Sequence, residues 1–187
     1  STGLVQSNTS ATSPLFVNVS GLADGTYYFN ASVNDTSNNI NSTETRTIVL
    51  DSTAPTITID SPLNQTYNNA TILINFTADS YQSLWYYNET ANVSYTGEIY
   101  ETVSEGSHTY VFYANDSAGN ENSTSVVFLV DTTAPTFDNL ANQTITQAQS
   151  LSFNIDATDT LVGLGTFAIN NTGNFSIVAA TGVLTNI

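Results

Sequence analysis

Fifteen of the 23 asparagines in this sequence are followed two residues later by Ser or Thr, with no proline between. They are Asn8, Asn18, Asn30, Asn34, Asn41, Asn64, Asn69, Asn75, Asn88, Asn92, Asn115, Asn122, Asn142, Asn170 and Asn174. Ser and Thr supply 51 of the 187 residues, so chance would place only about six asparagines in this context. The chemistry on offer is attachment of a glycan to the side-chain amide, which requires an exposed asparagine. The plainer alternative is an uncharged, soluble surface of Asn, Ser and Thr. The excess over chance favours N-glycosylation.

A second set of side chains could hold a cation. Asp51, Asp79 and Asp116 form one group and Asp131, Asp156 and Asp159 another. Carboxylate and carbonyl oxygens in such groups suit Ca²⁺, which takes six to eight oxygen ligands. No D-x-D-x-D-G loop is present, and aspartates also cap turns by bonding their own backbone. Catalysis finds little support. His108 is the only histidine and is expected to be a partly buried structural residue. Glu101 and Glu105 read as acids of a solvated loop. With no cysteine there is no disulfide, thiol chemistry or zinc–thiolate site. With no lysine there is no Lys–Asn or Lys–Asp isopeptide bond. One basic residue, Arg46, against sixteen acids argues against nucleic acid and against anionic membranes.

The elements that must position these residues follow a period of two. In "GTYYFNASVND", Tyr27, Phe29, Ala31 and Val33 share one face. In "TILINFTAD", Ile72, Ile74, Phe76 and Ala78 point inward, leaving Asn75 outward with Leu73 and Thr77. "LSFNIDATD" repeats the pattern, and no segment keeps a helical period for ten residues. The fold class is therefore all-β. No apolar run is long enough to span a membrane. The N-terminus has neither a basic start nor an apolar core, so any signal peptide is expected to lie upstream or to have been removed.

The chain also repeats itself. "DSTAPT" at 51–56 returns as "DTTAPT" at 131–136, and "GTYYFNASVNDTSNN" aligns with "GSHTYVFYANDSAGN" at an offset of 81. A period near 80 residues with about seven short strands fits tandem Ig-like β-sandwiches. Each begins at its Ala-Pro pair, where proline interrupts the strand ladder. The expected organisation is a partial domain at 1–53 with C-terminal strands only, including "SPLFVNVSGL". A complete domain follows at 54–133, then a partial domain at 134–187 with N-terminal strands only. In this architecture the linker, the B–C turn and the F–G turn share a pole, which is what would gather each trio of acids. Trp85, in "SLWYYN", occupies the strand position where such folds bury a tryptophan, and is expected in the core rather than as a sugar-stacking surface. Half a sandwich cannot bury its inner face. Two explanations stand: a stretch of a longer tandem array, or completion by strands of the next molecule, which is donor-strand complementation.

"YANDSAGNENSTSVVFLVDTTAPT" (Tyr113–Thr136) resembles the tandem bacterial and archaeal Ig-like repeats of large surface proteins. These close with an A-x-D-x-x-G-N turn, a strand and a V-D-x-T-A-P linker. The segment from Leu151 to Asn186 is more similar to the cadherin-like or other Ig-like repeats of the same proteins, through "ATD" and "TGVLT". The resemblance implies stalks, adhesins, S-layers or filaments, and interdomain Ca²⁺ that stiffens the array. The expectation is an extracellular, non-enzymatic structural protein in a glycosylated prokaryotic surface filament or stalk, with copies of itself as partners. The alternatives are an adhesin gripping a surface or carbohydrate partner and a non-catalytic spacer of a secreted enzyme.

Overall fold

The computed structural model describes residues 18–138 and 140–187. Asn8 and the beginning of "SPLFVNVSGL" lie outside the described residues. Among those described there are strands, turns and loops but no helix, as the two-residue periodicity requires.

The first group of strands is one long hairpin. β1 (Gly25–Phe29) pairs antiparallel with β4 (Arg46–Leu50), and β2 (Ser32–Asn34) pairs with β3 (Ile40–Ser42). Between the two ladders Thr43 N–H donates to Ala31 O at 2.8 Å, and Ala31 N–H donates to Thr43 Oγ1 at 2.9 Å.

The second group is a closed sandwich. Its strands are β5 (Ile57–Ser61), β6 (Thr66–Tyr67), β7 (Thr71–Ala78), β8 (Ser83–Tyr87), β9 (Asn92–Tyr95), β10 (Ile99–Thr102), β11 (Gly106–Asn115) and β12 (Glu121–Val130). One sheet runs β10-β7-β5, the other β6-β12-β11-β8-β9. All pairings are antiparallel except β6 with β12, where Thr66 and Tyr67 lie beside Leu129 and Val130 in parallel register. Inward residues meet between the sheets: Ile72, Ile74 and Phe76 from one, Tyr86, Tyr110, Phe112, Phe128 and Val130 from the other, all within 4% exposure. Phe76 packs edge-on against Phe112 at 4.8 Å between ring centroids. Each such buried aromatic contributes roughly 1.5–3 kcal/mol relative to an exposed one. This core forms because the alternating residues of facing strands present one continuous apolar surface.

Trp85 departs from expectation. Its neighbours Leu84 and Tyr86 take the inward positions, so strand alternation turns Trp85 to the outer face. There it stacks on Tyr113, its partner in the β8–β11 ladder, with centroids 5.4 Å apart and planes within 1°.

The third group carries β13 (Thr136–Phe137), β14 (Ser152–Asn154), β15 (Ala157–Thr158), β16 (Phe175–Ile177) and β17 (Val183–Asn186). β13 pairs with β15, and β14-β17-β16 form a small sheet. The β13–β15 pairing repeats the relation of β5 to β7.

The repeat allows like to be compared with like. The hairpin β11–β12 is the counterpart of β1–β4, and its inner-face residues Tyr110, Ala114, Phe128 and Val130 are 4%, 0%, 2% and 0% exposed. At the equivalent positions Phe29, Val33, Ile48 and Leu50 are 50%, 68%, 54% and 37% exposed. Among the described residues, no second sheet covers the first hairpin.

Candidate functional site

The site with most structure is the joint between repeats. Its first part is the turn of each hairpin. Asp116 Oδ1 accepts from Ala118 N–H at 2.8 Å and Asn120 N–H at 2.9 Å, while Oδ2 accepts from the Asn120 side-chain amide at 2.9 Å. The amide of Asn120 and these backbone donors hold the Asp116 carboxyl below its usual range. Asp35 builds the same cage with Ser37 N–H, Asn39 N–H and the Asn39 amide at 2.8, 2.9 and 2.7 Å, and is lowered for the same reason. The chain adopts this turn because an aspartate can satisfy successive backbone donors that no strand partner reaches.

The second part is the linker. Asp51 Oδ1 caps Thr53 N–H at 3.0 Å, and Asp131 Oδ1 caps Thr133 N–H at 3.1 Å. The hydroxyl after each aspartate returns to an acid of the upstream repeat. Ser52 Oγ donates to Asp24 at 2.8 Å, and Thr132 donates to Glu105 through both its Oγ1 and its N–H. Glu105 is exposed in the β10–β11 loop, as expected, and also anchors the linker. On the downstream side, Asn120 Nδ2 donates to Asp51 O at 3.0 Å and Asn122 Nδ2 to Pro55 O at 2.8 Å. Thr56 N–H donates to Asp79 Oδ1 at 2.6 Å, and Pro55 is fully buried. The 51–56 linker is fastened on both sides.

The acids read as calcium ligands fall as follows. Asp51, Asp79 and Asp116 do gather at one pole, joined through Asn120 and Thr56, but their carboxylates accept from backbone and amide donors. Asp131, Asp156 and Asp159 share no common bond. Asp156 O accepts from Asp138 N–H, its carboxylate accepts from the Asn154 amide, and Asp159 caps Leu161 and Val162 N–H at 3.2 Å. Among the described residues no three His, Asp or Glu side chains are grouped to hold a metal. Asp116 and Asp131 are both buried, but Asp131 differs in that its Oδ2 has no hydrogen-bond partner.

Fourteen of the glycan-acceptor asparagines lie among the described residues. Asn18, Asn30, Asn34, Asn41, Asn64, Asn69, Asn92, Asn122, Asn142, Asn170 and Asn174 are exposed, and Asn75, Asn88 and Asn115 are half-buried. Asn75 has the outward parity expected of it. Yet its amide donates to Glu98 at 3.0 Å and its Oδ1 accepts from Tyr95 OH at 3.2 Å, which partly covers it. Asn88 Nδ2 leans on Glu101, and Asn115 Oδ1 is buried without a partner.

A polar cluster inside the sandwich went unread in the sequence. Glu101 accepts from Tyr86 OH at 2.5 Å and Tyr110 OH at 3.0 Å, so it is a half-buried hub rather than a solvated acid. Burial first, and the Glu101 carboxylate second, push both tyrosine hydroxyls well above their ordinary value. His108 Nδ1 meets Glu89 at 2.8 Å and Nε2 meets Ser104 O at 2.9 Å. Both partners are acceptors, so the ring satisfies both only with a proton on each nitrogen. Burial works to raise the Glu89 carboxyl, but Thr109 N–H and His108 together hold it below its usual range. These contacts tie β10, β11 and the β8–β9 turn together. The partly buried histidine is structural in its contacts.

The residues missed were Asn120 and Asn122 as linker clamps. The available signal was recurrence: Asn39 and Asn120 align at the repeat offset although neither is a glycan acceptor.

A family model described as bacterial Ig-like domain (group 3) matches residues 14–78 and 91–166, about three quarters of the chain. The chain belongs to this family. Each match of the bacterial Ig-like model straddles a linker, taking the closing hairpin of one repeat and the opening strands of the next. Bacterial Ig-like domains are typically found in extracellular or surface proteins and are generally non-catalytic. The Ig-like domain suggests an extracellular structural or adhesion-type module. No curated protein matches it. Among the described residues no helix is long and apolar enough to cross a membrane.

Proposed function

We propose that this chain is a load-bearing segment of a glycosylated prokaryotic surface stalk or filament, in which Ig-like sandwiches join head to tail. The observation that carries this reading is the fastened linker. With Ser52 and Thr53 tied to Asp24 upstream and with Asp51 and Pro55 tied to Asn120 and Asn122 downstream, the joint has little slack. A spacer meant to swivel gains nothing from such fastening, whereas a rod does. Glycosylation is supported by nine exposed acceptor asparagines spread over all three groups of strands, leaving aside Asn122, whose amide holds Pro55 O, and Asn41, which is set the same way. Glycans would also cover strand edges that carry no lysine to keep other strands away.

Electron micrographs of the surface assembly test the reading. Ordered fibres beaded once per repeat of about 80 residues are expected; isolated flexible rods would refute it. Intact mass of the chain made by its native host should exceed 19.9 kDa by several kilodaltons, and an unmodified mass ends the glycan part. Calcium is a separate matter, and Asp131 is its best candidate because Oδ2 is buried without a partner. Chelation should then lower the melting temperature of wild type but not of Asp131→Asn; no shift in wild type removes the ion.

A further inference from the structure

The first hairpin carries a clamp that no described residue fills, and the 131–135 linker has no described clamp holding it downstream. In the sandwich, Asn122 Oδ1 accepts from Ser123 N–H at 2.8 Å, which aims Nδ2 at Pro55 O. Asn41 is set the same way, its Oδ1 accepting from Ser42 N–H at 2.9 Å. Asn39 is caged by Asp35 as Asn120 is by Asp116. The clamp of the first hairpin is therefore preformed, but among the described residues no linker carbonyl meets it. The linker at Asp131–Pro135 has the same capped turn as Asp51–Pro55. Yet Ala134 and Pro135 are exposed where Ala54 is half-buried and Pro55 fully buried.

The apolar surfaces match in the same way. The first hairpin exposes Phe29, Val33, Ile48 and Leu50 on one face. The third group of strands holds an open cleft lined by Leu140, Ile145, Phe153, Ile155, Phe175 and Leu184. Phe137, the counterpart of half-buried Ile57, is 60% exposed.

Within one copy these two parts cannot meet. The 51–55 linker is clamped at the turn end of β11–β12, by Asn120 and Asn122, whereas Asp131 leaves from the opposite end, bonded to Tyr67 O at 2.9 Å. Ten-residue strands separate those ends by roughly 33 Å.

We propose that the hairpin β1–β4 of one copy closes onto residues 131–187 of a second copy. Asn39 and Asn41 clamp the second copy's Asp131–Pro135 linker, and the apolar faces meet as those of β11–β12 and β5–β7 do in the sandwich. The inference rests on the head-to-tail reading above and supplies its joint. Such an interface uses two different surfaces and does not close on itself, so copies add in one direction. The sandwich also supplies the register. "NQTY" at 64–67 recurs as "NQTI" at 142–145. Leu129 and Val130 lie beside Thr66 and Tyr67, which places Val49 and Leu50 of one copy beside Thr144 and Ile145 of the next.

The absence of cysteine makes the test clean. Full chains carrying Val49→Cys or Thr144→Cys are prepared singly and mixed under oxidising conditions. A disulfide-linked heterodimer that forms in the mixture, well above what either variant forms alone, is the expected result. A Thr66→Cys/Leu129→Cys chain, which should close internally, shows that the geometry permits the bond. Adding Asn39→Ala and Asn41→Ala to the hairpin partner should reduce the heterodimer several-fold while leaving the sandwich's melting, read at Trp85, unchanged. No heterodimer despite closure of the internal control overturns the joint, and an undiminished yield in the double-alanine chain overturns the clamp. Either failure leaves the stalk reading to the micrographs, which do not depend on this interface.

Discussion

Replacing Glu101 tests whether the sandwich is held by a polar hub as well as by its apolar core. Glu101→Ala removes the acceptor of two hydroxyls, Tyr86 OH and Tyr110 OH, on side chains that are 0% and 4% exposed. An orphaned buried hydroxyl costs about 1–3 kcal/mol, so the pair predicts a loss of about 2–6 kcal/mol. Glu101→Gln keeps one carbonyl oxygen and loses the charge, predicting about 1–2 kcal/mol. Urea unfolding followed at Trp85, the only tryptophan and a residue of this sandwich, reports the change directly. Combining Glu101→Ala with Tyr86→Phe and Tyr110→Phe should recover part of the loss, since no hydroxyl is then left unpaired. A cost below about 0.5 kcal/mol for Glu101→Ala would refute the reasoning, because water would then be serving both hydroxyls.

The raised tyrosines give an alkaline signature. Folding favours their protonated form, so that stability is present below pH 10 and lost as pH rises above it; ultraviolet titration should show exposed Tyr28 and Tyr100 ionising first and the buried pair only with unfolding. At the acid end, Asp116 and Asp35 have depressed folded values, so their contribution is present above the ordinary carboxyl range and disappears as pH falls through it. Asp116→Ala should remove part of this acid dependence in the sandwich, leaving the part that Glu89 supplies, and lower its melting temperature. Gly182 has φ +69° and a Cβ there would overlap Ile155 O, so Gly182→Ala should destabilise the third group by about 1 kcal/mol or more, read by hydrogen exchange at Val183–Asn186. Peptide mapping should find Asn30, Asn34 and Asn92 modified ahead of half-covered Asn75 and Asn88; the reverse order would show that exposure does not govern attachment.

Strands, their inward faces and the repeat were readable because a period of two and a period near 80 residues are written directly in residue order. Trp85 was misread because "LWYY" is apolar at every position. Parity cannot be fixed inside such a run, and the choice fell to analogy; Leu84 and Tyr86 hold the inward sites. Glu101 was misread for another reason. Its partners lie 9 and 15 residues away on other strands, and no local pattern marks an acid that two tyrosines will surround. The linker repeat was visible, but its fastening was not. Asp24 and Glu105 reach Ser52 and Thr132 across 27–28 residues, and the Asn120 and Asn122 clamps span 67–69. Bonds of that range belong to tertiary structure, and only their recurrence one repeat apart shows in the residues.

The parallel pair β6–β12 has a bearing on how the sandwich resists pulling. In the proposed stalk, tension would enter near Thr56 and leave near Asp131, dragging β6 and β12 past each other lengthwise. Leu129 N–H to Gln65 O at 3.0 Å and Asp131 N–H to Tyr67 O at 2.9 Å lie across that motion. They are loaded together in shear and must yield together, whereas a hairpin pulled from its open end unzips one bond at a time. Two residues of parallel pairing thus place a force gate at the Asp131 end, where the load would leave the fold.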